Sequence, residues 1–421
     1  MHRSIPALAG ASLLAAVIAA LPNPAPAEAK PEVAAAFPAF EMKEIDKSLG
    51  VGYAVLLVDV NGDGKKDIVV VDQTRVVWYE NPSWKRRVII EGGTRKDNVC
   101  IAAYDIDGDG QIDFALGADW APFNTKSGGT LQWLKRGKTL DEPWTIHPIG
   151  EEPTVHRIRF ADLDGSGKAQ LIVGPLMGRN ATKEKNWTDG SPVRLLAYRI
   201  PKDPIKDRWE PEVIDESLHV VHNFMPVPAN DGKGKGMDIL TASYDGVHLL
   251  SRNGEKWASH KLGEGNQATP NGNRGASEIK RGKLKSGLPY IATIEPWHGN
   301  QVVVYTSPKD PKGLWVRHVI DDQLKWGHAV WCADLDGDGD DELIIGVRDN
   351  LSNNPGEKCG VRIYKATDGT ATKWERHLID EGGVSVEDLA AADLDGDGKI
   401  DIVAVGRATK NVRIYRNLGK K

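Results

Sequence analysis

Of the eleven histidines in the 421 residues, five fall outside any recurring pattern: His156, His219, His222, His298 and His328. His156 and His328 each stand six residues before the first aspartate of a loop, in "HRIRFADLDG" and "HAVWCADLDG". Glu387 holds the same place in the last such segment, and His222 a matching one with a one-residue insertion. Imidazoles that converge with a carboxylate suit a divalent transition metal such as Zn2+ or Mn2+. Bound to a carbonyl, that metal acidifies the neighbouring C–H, so that a base and an acid can complete an elimination. On this reading His156, His222 and His328 are the metal ligands, and His298, in "IEPWHGN", is a fourth ligand or the base. Glu387, Tyr53 and Glu278 are the candidate proton carriers.

A second constellation is acidic. "DVNGDGKKD", "DIDGDGQID", "DLDGDGDDE" and "DLDGDGKID" put oxygen ligands at alternate positions of a glycine-bent turn, as a hard cation such as Ca2+ requires. The ligand sets are Asp59, Asn61, Asp63 and Asp67; Asp105, Asp107, Asp109 and Asp113; Asp334, Asp336, Asp338 and Glu342; and Asp393, Asp395, Asp397 and Asp401. The copy at Asp162 and Asp164 has Ser166 and Gln170 where the others have acids. Because the loops recur with the repeat, their expected role is to pin turns structurally, with Ca2+ bound.

The repeat supplies the elements that position both constellations. First aspartates at 59, 105, 162, 334 and 393 leave intervals of 46, 57, 172 and 59 residues, and the long interval hides two degenerate copies, 229–243 and 283–295. An aromatic-led strand gives an independent count of seven: 40–48, 84–92, 144–152, 209–217, 257–265, 315–323 and 374–382. Between the two signals lies a third strand such as "QVVVYTSP". Four short strands per unit, seven times over, predict an all-β, seven-bladed propeller. The chain begins with a fourth-type strand and ends with a third-type one, so 40–48 is expected to complete the blade formed by 387–418 and close the ring.

Alternating strand directions put the five histidines on one face, opposite the aspartate loops. The repeat accounts for His147, His260, His318 and His377, each three residues after its aromatic, and His248 lies in a third strand. The histidine face also gathers Trp120, Trp187, Trp297 and Trp326, on which a sugar ring can stack. Arg179, Arg274, Arg348, Arg407 and Tyr244 are placed there too. Among these, Trp120, Trp297, Trp326, Arg348, Arg407 and Tyr244 are the candidate substrate contacts.

Composition narrows the remaining choices. A net charge of −5 gives no footprint for nucleic acid. "MHRSIPALAGASLLAAVIAAL" followed by Ala27-Glu28-Ala29 reads as a secretory signal peptide over residues 1–29, with one mature domain over 30–421, periplasmic or extracellular. No later run approaches the length of a membrane span. Cys100, Cys332 and Cys359 are too few for a disulfide framework and read as buried thiols.

The aspartate loops resemble the FG-GAP/VCBS repeats of integrin-like propellers. "PTVHRIRFADLDG", "LHVVHNFMPV", "GASEIKRGKL", "TIEPWHGNQVVVY" and "GHAVWCADLDGDGDDELIIG" resemble the propeller domain of the aldos-2-ulose dehydratase family. That resemblance implies a metal-dependent dehydratase acting on keto-sugars, with histidines at the channel holding the metal. It stops short of the cupin domains found in the full fungal enzyme. The expected function is therefore an exported metal-dependent carbohydrate lyase acting by β-elimination on a saccharide. Two alternatives stand beside it: a polyuronate lyase, in which the arginines hold a carboxylate, and a non-catalytic, calcium-stabilised propeller that binds glycans or proteins.

Overall fold

The computed structural model describes residues 37–348 and 359–420. The expected signal peptide lies outside the described residues. Among them, 28 strands form seven four-stranded antiparallel sheets, and each sheet is a blade. From the channel outward, blade 1 runs Ala54–Val58, Asp67–Asp72, Arg75–Glu80 and Lys85–Glu91. The other innermost strands are Cys100–Tyr104, Val155–Ala161, Asn223–Pro228, Ile279–Lys283, Gly327–Ala333 and Val386–Ala392.

Burial explains why the second strand of a blade reads as an unbroken apolar run. In "DIVVVD" all six side chains are buried, because adjacent blades cover both faces of the sheet. The same holds for Asp113–Ala118, Gln170–Pro175, Glu342–Val347 and Asp401–Gly406. Outermost strands such as Lys85–Glu91 have only one covered face and carry charge on the other.

The ring closes as the sequence predicts. Phe40–Asp46 pairs antiparallel with Val412–Asn417, from Phe40 opposite Asn417 to Asp46 opposite Val412. Across the seam, Val55, Ile68 and Val70 of blade 1 pack against Val403, Val405 and Ile414 of blade 7. A recurring latch joins neighbouring blades: a third-strand tyrosine donates its hydroxyl to an acid at the end of the preceding blade's outer strand. Tyr79 reaches Asp46 at 2.5 Å, Tyr364 reaches Asp321 at 2.6 Å and Tyr415 reaches Asp380 at 2.5 Å. The three cysteines are free thiols; Cys100 and Cys359 are buried, and Cys332 is only partly so. Among the described residues no helix is long and apolar enough to cross a membrane.

Candidate functional site

One repeat position makes the channel mouth. Immediately before or at the start of the seven innermost strands stand Tyr53, Val99, His156, His222, Glu278, His328 and Glu387. In blades 3, 6 and 7 the ladder skips this residue: pairing passes from Val155 to Arg157, from Gly327 to Ala329 and from Val386 to Asp388. His156, His328 and Glu387 are thus the extra residue of a β-bulge, a device that turns a side chain out of the sheet's alternation. Here it aims them at the mouth.

Two of the three bulges are fixed to the next blade. His156 Nδ1 donates to the His222 carbonyl at 3.0 Å, and His328 Nδ1 donates to the Glu387 carbonyl at 2.6 Å. The donation leaves Nε2 of each ring as the lone-pair nitrogen. Ligand nitrogens of His222, His298 and His328 all lie within 4.8 Å of one another, a spacing that one ion can span. His222 Nε2 and His298 Nε2 are 3.0 Å apart, and the His298 and His328 ring centroids 5.0 Å. Behind His222, Nδ1 lies 2.9 Å from Glu278 Oε1, although neither atom completes a well-directed hydrogen bond. Both are buried polar atoms beside a donor set suited to a transition metal, so these residues fit such an ion. Burial, followed by neighbouring cations and imidazoles, holds His298 and His328 well below the ordinary imidazole range. Neutral rings are the form that binds metal.

Strand counting placed His156 in the metal set and His298 beside it. In the structure His298 lies within the cluster. The His156 ring is 4.6 Å from that of His222, and its Nε2 is engaged by Arg157 Nη1 at 3.1 Å. Glu387 splits its carboxylate between Arg348 Nη1 and Arg407 Nη1, each at 2.8 Å. It therefore holds two cations in place. Tyr53 packs under the Arg407 guanidinium, 5.1 Å from its ring centroid, and burial raises its phenol above the usual value.

These groups floor a cavity of about 520 Å³ whose walls include Trp120, Trp187, Trp297, Trp326 and Phe123. Trp326 and His298 stack at 5.5 Å between centroids, and both hold left-handed backbone, φ 55° and 51°. Such strain at non-glycine residues gathers where side chains must be aimed. Tyr244 is almost wholly buried and supports Trp297 from behind, 5.7 Å between centroids. Arg179 is paired with Glu152, Arg274 lies over Tyr244, and His219 contacts Asp245; none of these three lines the cavity.

Sequence reasoning passed over Arg157, Phe123, Asn271 and Asn273, all of which line the cavity. Arg157 had a legible signal, since it follows His156 directly. Without knowing of the bulge, alternation would send the two side chains to opposite faces of the strand.

The aspartate loops lie at the opposite ends of the same strands and share one frame. Asp59 accepts from the Gly62 and Gly64 amides at 2.7 and 2.8 Å, and Asp105, Asp334 and Asp393 repeat that pattern. Oxygens of Asp105, Asp107 and Asp113 converge within 4.8 Å, as do those of Asp334, Asp336 and Glu342, and of Asp393, Asp395 and Asp401. Asp107 Oδ1 and Glu342 Oε1 are buried without a hydrogen-bond partner, and Lys365 Nζ lies 3.7 Å from the latter. The all-oxygen donor sets fit Ca2+. Asp63, Asp109, Asp338 and Asp397 are not among these convergent oxygens, nor are Asp59 and Asp67 of the first loop, and Lys365 contacts both Asp336 and Asp338.

Comparisons with known proteins agree with the architecture. Residues 128–308 match the family model described as the β-propeller domain of aldos-2-ulose dehydratase, and residues 59–116 match the FG-GAP-like repeat. Aldos-2-ulose dehydratase from Phanerodontia chrysosporium is 30% identical over 300 residues. That match covers 66% of this chain and 32% of the fungal protein, so the chain spans about a third of its relative's length. An Agrocybe aegerita lectin, solved for its recognition of non-reducing terminal N-acetylglucosamine, aligns with TM-score 0.50 at 16% identity, covering 78% of this chain and 80% of its own. A chain from the crystal structure of BBS1N in complex with ARL6DN aligns with TM-score 0.52 at 12% identity, covering 90% of this chain and 96% of its own. These two share the fold alone. The chain is a seven-bladed propeller with FG-GAP-type repeats, and it resembles the propeller domain of a carbohydrate dehydratase.

Proposed function

We propose that the chain is an exported, metal-dependent carbohydrate lyase that performs β-elimination on a keto-sugar or related saccharide. The observation that carries this reading is the set of three imidazoles, the buried His222 and His328 and the half-buried His298, with ligand nitrogens within 4.8 Å, at the floor of an aromatic-walled cavity. Those three residues would hold Zn2+ or Mn2+, with Glu278 behind His222 fixing its ring. A divalent ion there supplies Lewis acidity toward a substrate carbonyl.

The remaining groups divide the proton work. His156, anchored through Nδ1, lines the cavity with Nε2 held by Arg157 Nη1, and takes the proton alpha to the carbonyl when a substrate oxygen draws that guanidinium away. The C–H electron pair becomes the new C=C bond as the β C–O bond breaks, and its electrons leave with the oxygen. Tyr53, kept protonated by burial and adjacent to Arg407, is placed to donate to that oxygen. Trp297 and Trp326 offer faces for the sugar ring, and Arg348 and Arg407 offer donors to its oxygens. At the other face, Ca2+ in the four acidic loops would brace the blades.

The test uses the mature protein stripped of transition metal and given a keto-sugar such as 1,5-anhydrofructose. Turnover restored by Zn2+ or Mn2+ but not by Ca2+, and lost in His328→Ala, supports the proposal. Binding of the sugar with no product, indifferent to His328→Ala, would leave a glycan-binding propeller instead. Export is checked separately, by the N-terminal residue of protein recovered from the periplasm or medium.

A further inference from the structure

A second cleft opens beside the main cavity on the same face. It encloses about 430 Å³ and is lined by Gly50, Val51, Ser385 and Ala408 together with Trp326, Arg348, Arg407 and Lys410. Trp326, Arg348 and Arg407 line the main cavity as well, so the two spaces share a wall. The shared wall is cationic. Three positive side chains face the cleft, and no acid lines it among the described residues; Glu387, buried beneath, offsets one of the three charges. Lys410 is exposed at the rim and makes no ion pair among the described residues. Trp326, 42% exposed, has the Arg348 guanidinium 5.2 Å from its ring centroid and leaves room for a sugar beside it.

We infer that this cleft binds an anionic substituent, a carboxylate or a sulfate ester, on the sugar adjoining the one that reacts. The inference rests on the saccharide-lyase reading and adds the substrate class. A sugar in the main cavity that extends past Trp326 puts its neighbour against Arg407 and Lys410. Guanidinium and ammonium groups bind an oxyanion through charge-assisted hydrogen bonds, which a neutral hydroxymethyl cannot match. The cleft would therefore select acidic oligosaccharides over neutral ones of the same linkage.

The experiment measures binding of three matched disaccharides to the metal-loaded mature protein by calorimetry at low salt: glucosyl-glucose, glucuronosyl-glucose and a sulfated glucosyl-glucose. One of the two anionic sugars is expected to bind about tenfold more tightly than the neutral one. Added salt and Lys410→Asn should each remove most of that preference while leaving the neutral sugar unaffected. Asparagine suits the left-handed backbone at 410, φ 56°. Whichever anion is favoured identifies the group. Equal binding of all three, or a preference that survives both Lys410→Asn and Arg407→Gln, overturns the inference and leaves the lyase reading standing. Binding of none of them removes the saccharide reading itself and this inference with it.

Discussion

His222 Nε2 sits 3.0 Å from His298 Nε2, although the two residues lie in different blades and are 76 positions apart. Two such nitrogens cannot both present lone pairs to each other at that distance without a proton or a cation between them. Metal analysis of the mature protein after mild calcium removal is expected to give about one equivalent of Zn2+ or Mn2+. His222→Ala, His298→Ala and His328→Ala should each abolish it. Glu278→Gln keeps the three nitrogens but loses the carboxylate behind His222, and should weaken affinity about 10- to 100-fold.

Glu387 offers a separable test, because it lines the cavity with its carboxylate held between two arginines. Its carboxylate accepts from Arg348 and Arg407 at 2.8 Å each. Glu387→Gln preserves shape but withdraws the charge that orients both guanidiniums. The expected result is a KM raised about tenfold with kcat changed much less, measured by steady-state kinetics on a keto-sugar. A proton carrier would lose kcat instead, with a displaced pH profile.

The fold was legible because a propeller writes its period into the chain. Two independent signals recur in each blade, and the odd strand at one end supplies what the other end lacks. The site was legible only where it broke that period, as His156 and His328 do. What stayed hidden were the bulges. A skipped residue in the ladder leaves no mark in composition, so Arg157 reads as an outward-facing neighbour of His156 and the choice between His156 and His298 cannot be made from spacing. Glu387 shows the same limit: its place in the repeat was readable, but its two arginine partners come from loops after the second strands of blades 6 and 7.

Calcium dependence is expected to appear in stability. Glu342 is wholly buried with Oε1 lacking a hydrogen bond, and its loop gathers Asp334 and Asp336 around the same point. An ion bound there stabilises the native state in proportion to its free concentration. Chelation should therefore lower the unfolding temperature, and titrated Ca2+ should restore it progressively. Mg2+ should do so poorly, because it demands a tighter octahedral cage. Glu342→Gln should reduce the calcium-dependent part without altering metal bound at the histidines.

Lys280 makes stability depend on alkaline pH. Burial in the channel, then repulsion from Arg159, brings its amine down to about 8. Its partial exposure to the channel and its contact with the Trp331 ring, 4.3 Å to the centroid, moderate the cost of the charged form. The unfolded chain holds this proton up to about 10.4, so between about 8 and 10.4 the native state binds fewer protons and gains stability as pH rises. Below 8 the buried charge weighs fully against folding. Lys280→Met should thus be more stable than wild type by about 1 kcal/mol at pH 7, and denaturant midpoints should show the gap narrowing by pH 9.5.

The Tyr79–Asp46 latch tests ring closure. Among the described residues it is one of three such contacts, and of these it ties the strand supplied by the N-terminal segment to blade 1. Tyr79→Phe removes the hydroxyl and leaves the Asp46 carboxylate with the Ser48 amide and a distant Arg86, 3.8 Å away. The expected cost is about 1–2 kcal/mol, because a mostly buried acceptor loses its partner. Tyr364→Phe should cost about as much, since Tyr364 is equally buried and makes the same contact with Asp321. Removing residues up to Asp46 acts differently. It strips Val412–Asn417 of its outer partner and exposes an unpaired edge at the seam. The truncated chain should associate or fail to fold, as read by size-exclusion chromatography and hydrogen exchange. A monomeric, cooperatively folding truncation would show that the ring holds without its closing strand.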